Sequence, residues 1–255
     1  MGKSSKLDVF AGLDPEVKVR SRKMMMWLII FAIVMLFAGI TSALIVLYGK
    51  VVWLRMIPPS ILWVSNALIV LSSITLIACL RVLRKGNVKL ALTLHVLTLL
   101  LGLAFAYTQN TAWKTVAGRG LGYTVTTNEE GIKFYRWNSL AKMTGDYGTD
   151  YWFEMNGEKL VKEGDDFYKP SDPSAPVTHI VNTTFNAFGA LLSVLIYVHI
   201  IHLVFGLIYL LVNTLRMQRG IINKDNTLSV YISGMYWHFL GILWLYLFAF
   251  MFYIF

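Results

Sequence analysis

Residues 230–255 hold one long apolar stretch, broken by Gly234, His238 and Gly241. About twenty consecutive apolar residues in a helix are long enough to cross the hydrocarbon core of a bilayer. Lipid offers no hydrogen bonds, so the backbone of such a segment must satisfy itself, and a helix does so. A histidine inside the segment is costly there and calls for a partner or a role. Four more apolar runs precede it, at 24–48, 60–80, 88–107 and 186–213. The whole chain is 56% hydrophobic and only 15% charged, against about 25% charged for soluble domains. The fold class is therefore an all-α membrane protein of five transmembrane helices. Residues 1–23 are polar and charged, no small-residue cleavage site follows a short apolar core, and the first run is too long for a signal core, so it stays as a helix. Pro58-Pro59 marks the start of the second span.

The formal net charge is +9. The charges sit in the connections between spans, so they orient the chain rather than bind nucleic acid. Residues 1–23 carry six Lys/Arg, the connection after span two carries four (Arg81, Arg84, Lys85, Lys89) and that after span four carries three (Arg216, Arg219, Lys224). The connection after span one has only Lys50 and Arg55, and 108–185 balances eight basic against ten acidic residues. The positive-inside rule then puts the N-terminus inside and the C-terminus outside. The organisation reads as a cytoplasmic basic tail (1–23), helices one to three (24–107), an extracytoplasmic insertion (108–185) and helices four and five (186–255). The single cysteine, Cys79, lies within a span and excludes an internal disulfide or a multi-cysteine metal site.

The insertion is small and contains β structure. Residues 122–127 and 132–137 read as short strands, and 151–161 as a hairpin around Asn156-Gly157, a pair suited to a tight two-residue turn. Pro170, Pro173 and Pro176 read as an extended lead into the fourth span. A segment of this size buries little core alone, so it is expected to lean on a neighbour or on the bundle. Gly118-x-Gly120-x-Gly122 lacks the strand-then-helix context of a phosphate loop, and Asn182-Thr183-Thr184 is a short match to a glycosylation acceptor.

Polar residues recur within the spans at helical spacing. Ser65 and Ser72, and Asn66 and Ser73, are seven apart and form a small polar stripe of the kind that lets helices approach and hydrogen-bond in lipid. His199, His202 and Gly206 share one face; Gly234, His238 and Gly241 have similar spacing, and His95 and Gly102 lie in the third span. Two chemistries suit such histidines: axial haem ligation, as in an independent di-haem membrane cytochrome, or hydrogen bonding within the bundle and to lipid head groups. The sequence favours the second, since the apolar walls are bulky. No acidic or basic side chain lies deep in a span, which argues against a carrier or ion path.

Tyr236-Trp237-His238-Phe239 followed by Trp244-Leu245 resembles the last helix of subunit III of the haem–copper oxidases. His199-x-x-His202 followed by Gly206 resembles the preceding helix, where His-Gly-x-His-x-x-x-Gly is usual, and Arg216 and Arg219 fit its exit. Pro59, Asn66, Ser72-Ser73 and Thr75 are similar to the family's Ser-Ser-x-Thr helix; Gly102, Gln109 and Trp113 to the next one; and Lys23, Trp27-Leu28, Val34-Met35 and Gly39 to its first conserved helix. The match covers all five spans and resembles the five-helix form of cytochrome c oxidase subunit III.

That resemblance implies a non-catalytic core subunit of a respiratory oxidase in a bacterial plasma membrane, with no catalytic, cofactor or metal residues of its own. Haems and copper would belong to partner subunits I and II. Bound phospholipid is implied, with His199, His202, His238, Trp237, Asn66 and Arg216 as lipid-binding or structural intramembrane residues. A quinol oxidase subunit shares the same plan. Three positions depart from the family: Ile33, Ala112 and Gly241 stand where members commonly carry an acidic residue. Residues 115–180 exceed the family norm and suggest a docking surface for a donor cytochrome c or another respiratory complex.

Overall fold

A computed structural model describes residues 14–48, 52–121, 123–127 and 133–254. Helix α1 is Pro15–Leu47, with Pro15 at its first position and the Asp14 carboxylate accepting the Glu16 N–H at 3.1 Å. That cap starts the helix inside the stretch assigned to a polar tail, and the Lys and Arg residues that follow are good helix formers. At 33 residues α1 is roughly 50 Å long, well beyond a hydrocarbon core of about 30 Å. Strand β1, Trp53–Met56, leads to α2, Ile61–Arg84. A turn through Gly86, whose φ of 88° suits glycine, and an Asn87 cap on the Leu90 N–H at 3.1 Å fold the chain back into α3, Val88–Gly118. This helix runs eleven residues past the expected boundary at 107.

The insertion follows, as β2 (Tyr123–Thr127), β3 (Lys133–Trp137), a 3-10 turn (Leu140–Lys142), β4 (Tyr151–Met155), β5 (Glu158–Lys159), β6 (Val161–Glu163), β7 (Asp166–Lys169), β8 (Asp172–Pro176) and a short helix α4 (Thr178–Thr183). Then α5, Ala187–Gln218, and α6, Leu228–Ala249, complete the bundle, α6 ending in a π-helical turn at Phe250–Ile254. The five long helices are each long and apolar enough to span a membrane. The most apolar 18-residue window is 56% buried in α6 and only 28–33% in the other four, so α6 is the axis; it packs against α1, α2 and α5.

Three basic segments gather at one end of this bundle. Arg22 of α1, Arg216 of α5 and Ser229 of α6 line one recess, Lys23 lies 5.1 Å from the Tyr231 ring, and the α2–α3 turn at Gly86 faces Lys224. The insertion caps the opposite end. Its β2–β3 hairpin pairs Tyr123 with Trp137 and Thr127 with Lys133, as expected, residues 122 and 132 lying outside the described ones. The turn at Asn156 (φ 54°) and Gly157 (φ 81°) joins β4 to β5 as the Asn-Gly pair foretells.

Two features of the cap depart from the sequence reading. The proline segment does not simply lead into α5: β8 folds back as an edge strand on β7, a place where proline removes no ladder bond. Strand β1, in the connection between α1 and α2, pairs with β4 in the order β1-β4-β5, aligning Trp53 with Glu154 and Met56 with Tyr151. Its partner lies about a hundred residues away, beyond the reach of local periodicity. The cap thereby rests on the bundle. Leu44, Trp53, Val116, Leu121, Phe153, Phe188 and Leu192 share one buried cluster. Two ion pairs fasten it: Arg55 Nε to Glu154 Oε2 at 2.9 Å, with the Tyr48 hydroxyl donating to the same oxygen at 3.2 Å, and Arg119 to Asp150 at 2.9 Å.

The orientation is checked with impermeant maleimides on intact cells carrying single cysteines in a Cys79→Ser background. Asp165→Cys in the cap should label at once, and Asn223→Cys only after permeabilisation; the reverse pattern inverts the topology. In the cap core the Tyr147 hydroxyl donates to the Leu160 carbonyl at 2.8 Å and accepts the Phe153 N–H at 3.2 Å. Burial pushes Tyr147 and Tyr151 above the ordinary tyrosine value of 10.0. The unfolded cap ionises first, so its stability is intact below pH 10 and falls as pH rises from there through the folded values. Tyrosinate absorbance titrated beside far-UV dichroism should show loss of β structure accompanying ionisation.

Candidate functional site

The centre of the bundle is Trp237 of α6, which is wholly buried. Its indole N–H donates to Ser72 Oγ of α2 at 2.9 Å. Its ring is seated against two glycines. A methyl carbon on Gly102 of α3 would stand 2.8 Å from the ring and 2.9 Å from Leu207, and one on Gly206 of α5 would stand 3.2 Å from the ring. One side chain of α6 thus touches three other helices, through contacts that only small residues permit. Two turns on, the buried Trp244 repeats the device, its N–H donating to Asn66 Oδ1 at 2.8 Å, with Phe105, Trp113 and His199 around its ring at 5.9, 6.3 and 5.4 Å.

Hydroxyl pairs continue the seam between α2 and α3: Ser65 to Thr108 at 2.8 Å and Thr75 to Thr98 at 2.8 Å. Between α5 and α6, Asn213 donates to Ser233 Oγ at 2.9 Å and accepts from the Ser229 hydroxyl at 2.6 Å. That last network went unread in the sequence, although serines four apart at the start of an apolar helix are a visible signal.

The histidines have different fates. His95 Nε2 meets the Leu210 carbonyl at 3.2 Å and so ties α3 to α5. His199 makes no such bond. Both of its ring nitrogens are buried without a partner, and its surroundings are the aromatic rings of Phe37 and Trp244. His202 sits one turn further along and turns to α1, with Nδ1 2.7 Å from the Val198 carbonyl of its own helix. His238 is half-buried on α6 beside Gly234. Among the described residues no three His, Cys, Asp or Glu side chains are grouped to hold a metal ion.

A groove runs along α1 beside His202. Its wider part, open to the outer face of the bundle, has a volume of about 610 Å³ and is lined by Met26, Ile29, Ile33 and Leu36 of α1, His202, Phe205 and Tyr209 of α5, and Tyr236 of α6, with Ile29, Leu36 and Phe205 exposed. Toward the basic end it joins a recess of about 320 Å³ that holds Arg22, Arg216 and Ser229, the two parts sharing Met26, Ile29 and Tyr209. Ile33, one of the positions where the resemblance calls for a carboxylate, is part of the apolar wall. Ala112 is fully buried, and a methyl carbon at Gly241 would stand 3.3 Å from Ile69. Gly241 thus faces Ile69 and the Ser73 hydroxyl, the latter 3.6 Å from such a carbon.

Comparison with known proteins gives regional similarity. No family model matches the chain. A stretch of 54 residues is 39% identical to cytochrome c oxidase subunit 3 of Rhipicephalus sanguineus, covering 21% of each protein. Over 64 residues it is 31% identical to cytochrome c oxidase subunit 3 of Alkalihalophilus pseudofirmus, covering 25% of this chain and 31% of that one. Over 69 residues it is 28% identical to a probable quinol oxidase subunit 3 of Staphylococcus saprophyticus, covering 27% and 34%. The chain thus spans between a fifth and a third of the length of the curated relatives it matches. These relatives are named as subunits 3 of cytochrome c and quinol oxidases.

Trp237→Phe removes one cross-helix hydrogen bond, worth about 0.6 kcal/mol in a membrane and at most about 1.7. Trp237→Ala also opens a cavity and should cost about 3–5 kcal/mol. Gly102→Val should resemble the alanine variant, because its side chain displaces the indole. Thermal unfolding in detergent should rank wild type above Trp237→Phe, and that variant well above the other two.

Proposed function

We propose that this chain is a subunit III of a respiratory cytochrome c oxidase, a non-catalytic component of a complex that reduces dioxygen and moves protons. The observation that carries the reading is the coincidence of regional similarity to oxidase subunits 3 with a bundle of five spanning helices. In that complex the helices brace subunit I, while haems and copper belong to subunits I and II. The similarity to a probable quinol oxidase subunit 3 supports the same role beside a quinol-oxidising partner.

Phospholipid binding is the second part of the proposal. Arg22 and Arg216 line the same recess at the basic end, where a phosphate would find two guanidinium groups. Apolar wall begins directly above them, as a glycerolipid requires. At the other end, residues 115–180 are proposed to dock a donor cytochrome c or a neighbouring respiratory complex, held at fixed height by the two ion pairs that fasten the cap.

Mild detergent extraction of the tagged chain from its native membrane tests the assignment. A large polytopic haem–copper subunit should co-purify, with oxidase activity in the eluate. Recovery of the chain alone, carrying its own haem, would contradict it. In the same preparations Arg22→Gln with Arg216→Gln should lower retained phospholipid by about one molecule per chain, leaving the complex assembled.

A further inference from the structure

The wider end of the α1–α5 groove carries a hydrogen-bonding group that a phospholipid does not serve. The Val198 carbonyl can only accept, so the His202 Nδ1 at 2.7 Å bears the proton. In the neutral ring Nε2 is then an acceptor. Among the described residues it has no hydrogen-bond partner, and its ring lines the cavity. Arg216 lies fourteen residues further along α5, roughly 21 Å away along the axis, which puts His202 near mid-membrane. A phospholipid anchored at the arginines brings only methylene groups to that depth, and an acceptor facing hydrocarbon alone is costly.

The rest of the wall is aromatic and apolar. Phe205 and Tyr209 stand three and seven residues beyond His202 and so share its face of α5, with Ile29, Ile33 and Leu36 opposite. Tyr236 is already engaged, its hydroxyl donating to the His202 carbonyl at 3.0 Å. At about 610 Å³ the cavity falls within the range of small-molecule sites, roughly 300–1,000 Å³. Its occupant must be membrane-soluble, flat enough to lie between aromatic and branched side chains, and must present an O–H donor at the imidazole.

We propose that this groove binds an isoprenoid quinol, one ring hydroxyl donating to His202 Nε2, the ring against Phe205, and the tail leaving between α1 and α5 into the bilayer. The site binds; no electron passes through this chain. A phosphate at Arg22 and Arg216 lies roughly 21 Å along the axis from a ring at His202, and the two are held together when the lipid's acyl chains run in the bilayer outside the groove. The inference does not depend on the oxidase assignment, because it rests on the groove alone.

The experiment uses the chain in whatever complex it forms, extracted in mild detergent. Quinone and phospholipid are counted per chain, and a photoreactive azidoquinone, added reduced, is mapped by peptide mass. Wild type should retain quinone and label on α1 or α5 within the groove. His202→Leu, which keeps the volume and removes the acceptor, should lose quinone on the order of tenfold, the loss expected for one unmade hydrogen bond. Its phospholipid should not change. Ile33→Trp, which fills the groove and leaves His202 intact, should also abolish the label. The proposal is overturned if wild type retains no more quinone than His202→Leu, if the label maps elsewhere, or if only phospholipid occupies the groove. Co-purification of the oxidase with wild type and both variants reads the functional assignment separately.

Discussion

Helices in lipid gain nothing by hiding apolar surface from one another, since the solvent is as apolar as they are. What holds this bundle is close contact and hydrogen bonding where glycine and hydroxyl residues allow it, and most of that converges on one indole. Trp237 fills the space that Gly102 and Gly206 leave and donates to Ser72, so α6 is keyed to α2, α3 and α5 at a single level. Trp244 and Asn66 set the same register two turns on. With the angles fixed at two heights, α1 stands along α5 and α6 at the distance that leaves a groove. The proposed lipid and quinol sites would inherit their shape from that spacing.

The soluble cap obeys different physics and is joined to the bundle by different means. Its aromatic core of Tyr147, Tyr151, Phe153 and Phe167 packs at ring separations of 5.3–5.7 Å. Water drives that packing, and β1 together with two ion pairs transmits the position of the helix ends to it. A cap held in this way keeps a constant height over the bundle. A docking platform needs that property and a tethered loop lacks it.

Much of this was legible in the chain. Five apolar runs mark five helices because lipid forces each backbone to close on itself. Asn66, Ser72, Gly102, Gly206 and Trp237 stand out as small or polar residues inside apolar segments, and they meet at the seams. Asn156-Gly157 announces its turn. Other features depend on partners far along the chain. Strand β1 is four residues whose pairing lies across two helices and a hairpin. The proline segment reads as extended, but only its contact with β7 makes it a strand. His199 and His202 look equivalent by spacing, yet three residues leave them about 60° apart around α5, which sets one between the Phe37 and Trp244 rings and the other in the groove. Arg22 looks like an ordinary inside-positive charge until α1 is seen to begin at Pro15 and to bring it beside Arg216.

Electron cryomicroscopy of the assembly extracted from native membrane addresses the central claim most directly. The account predicts density for this five-helix bundle against a haem–copper subunit, Trp237 seated between Gly102 and Gly206, and every haem ligated by other chains. A bundle standing by itself with porphyrin ligated to His199 or His202, or one in which Trp237 faces lipid, would contradict it.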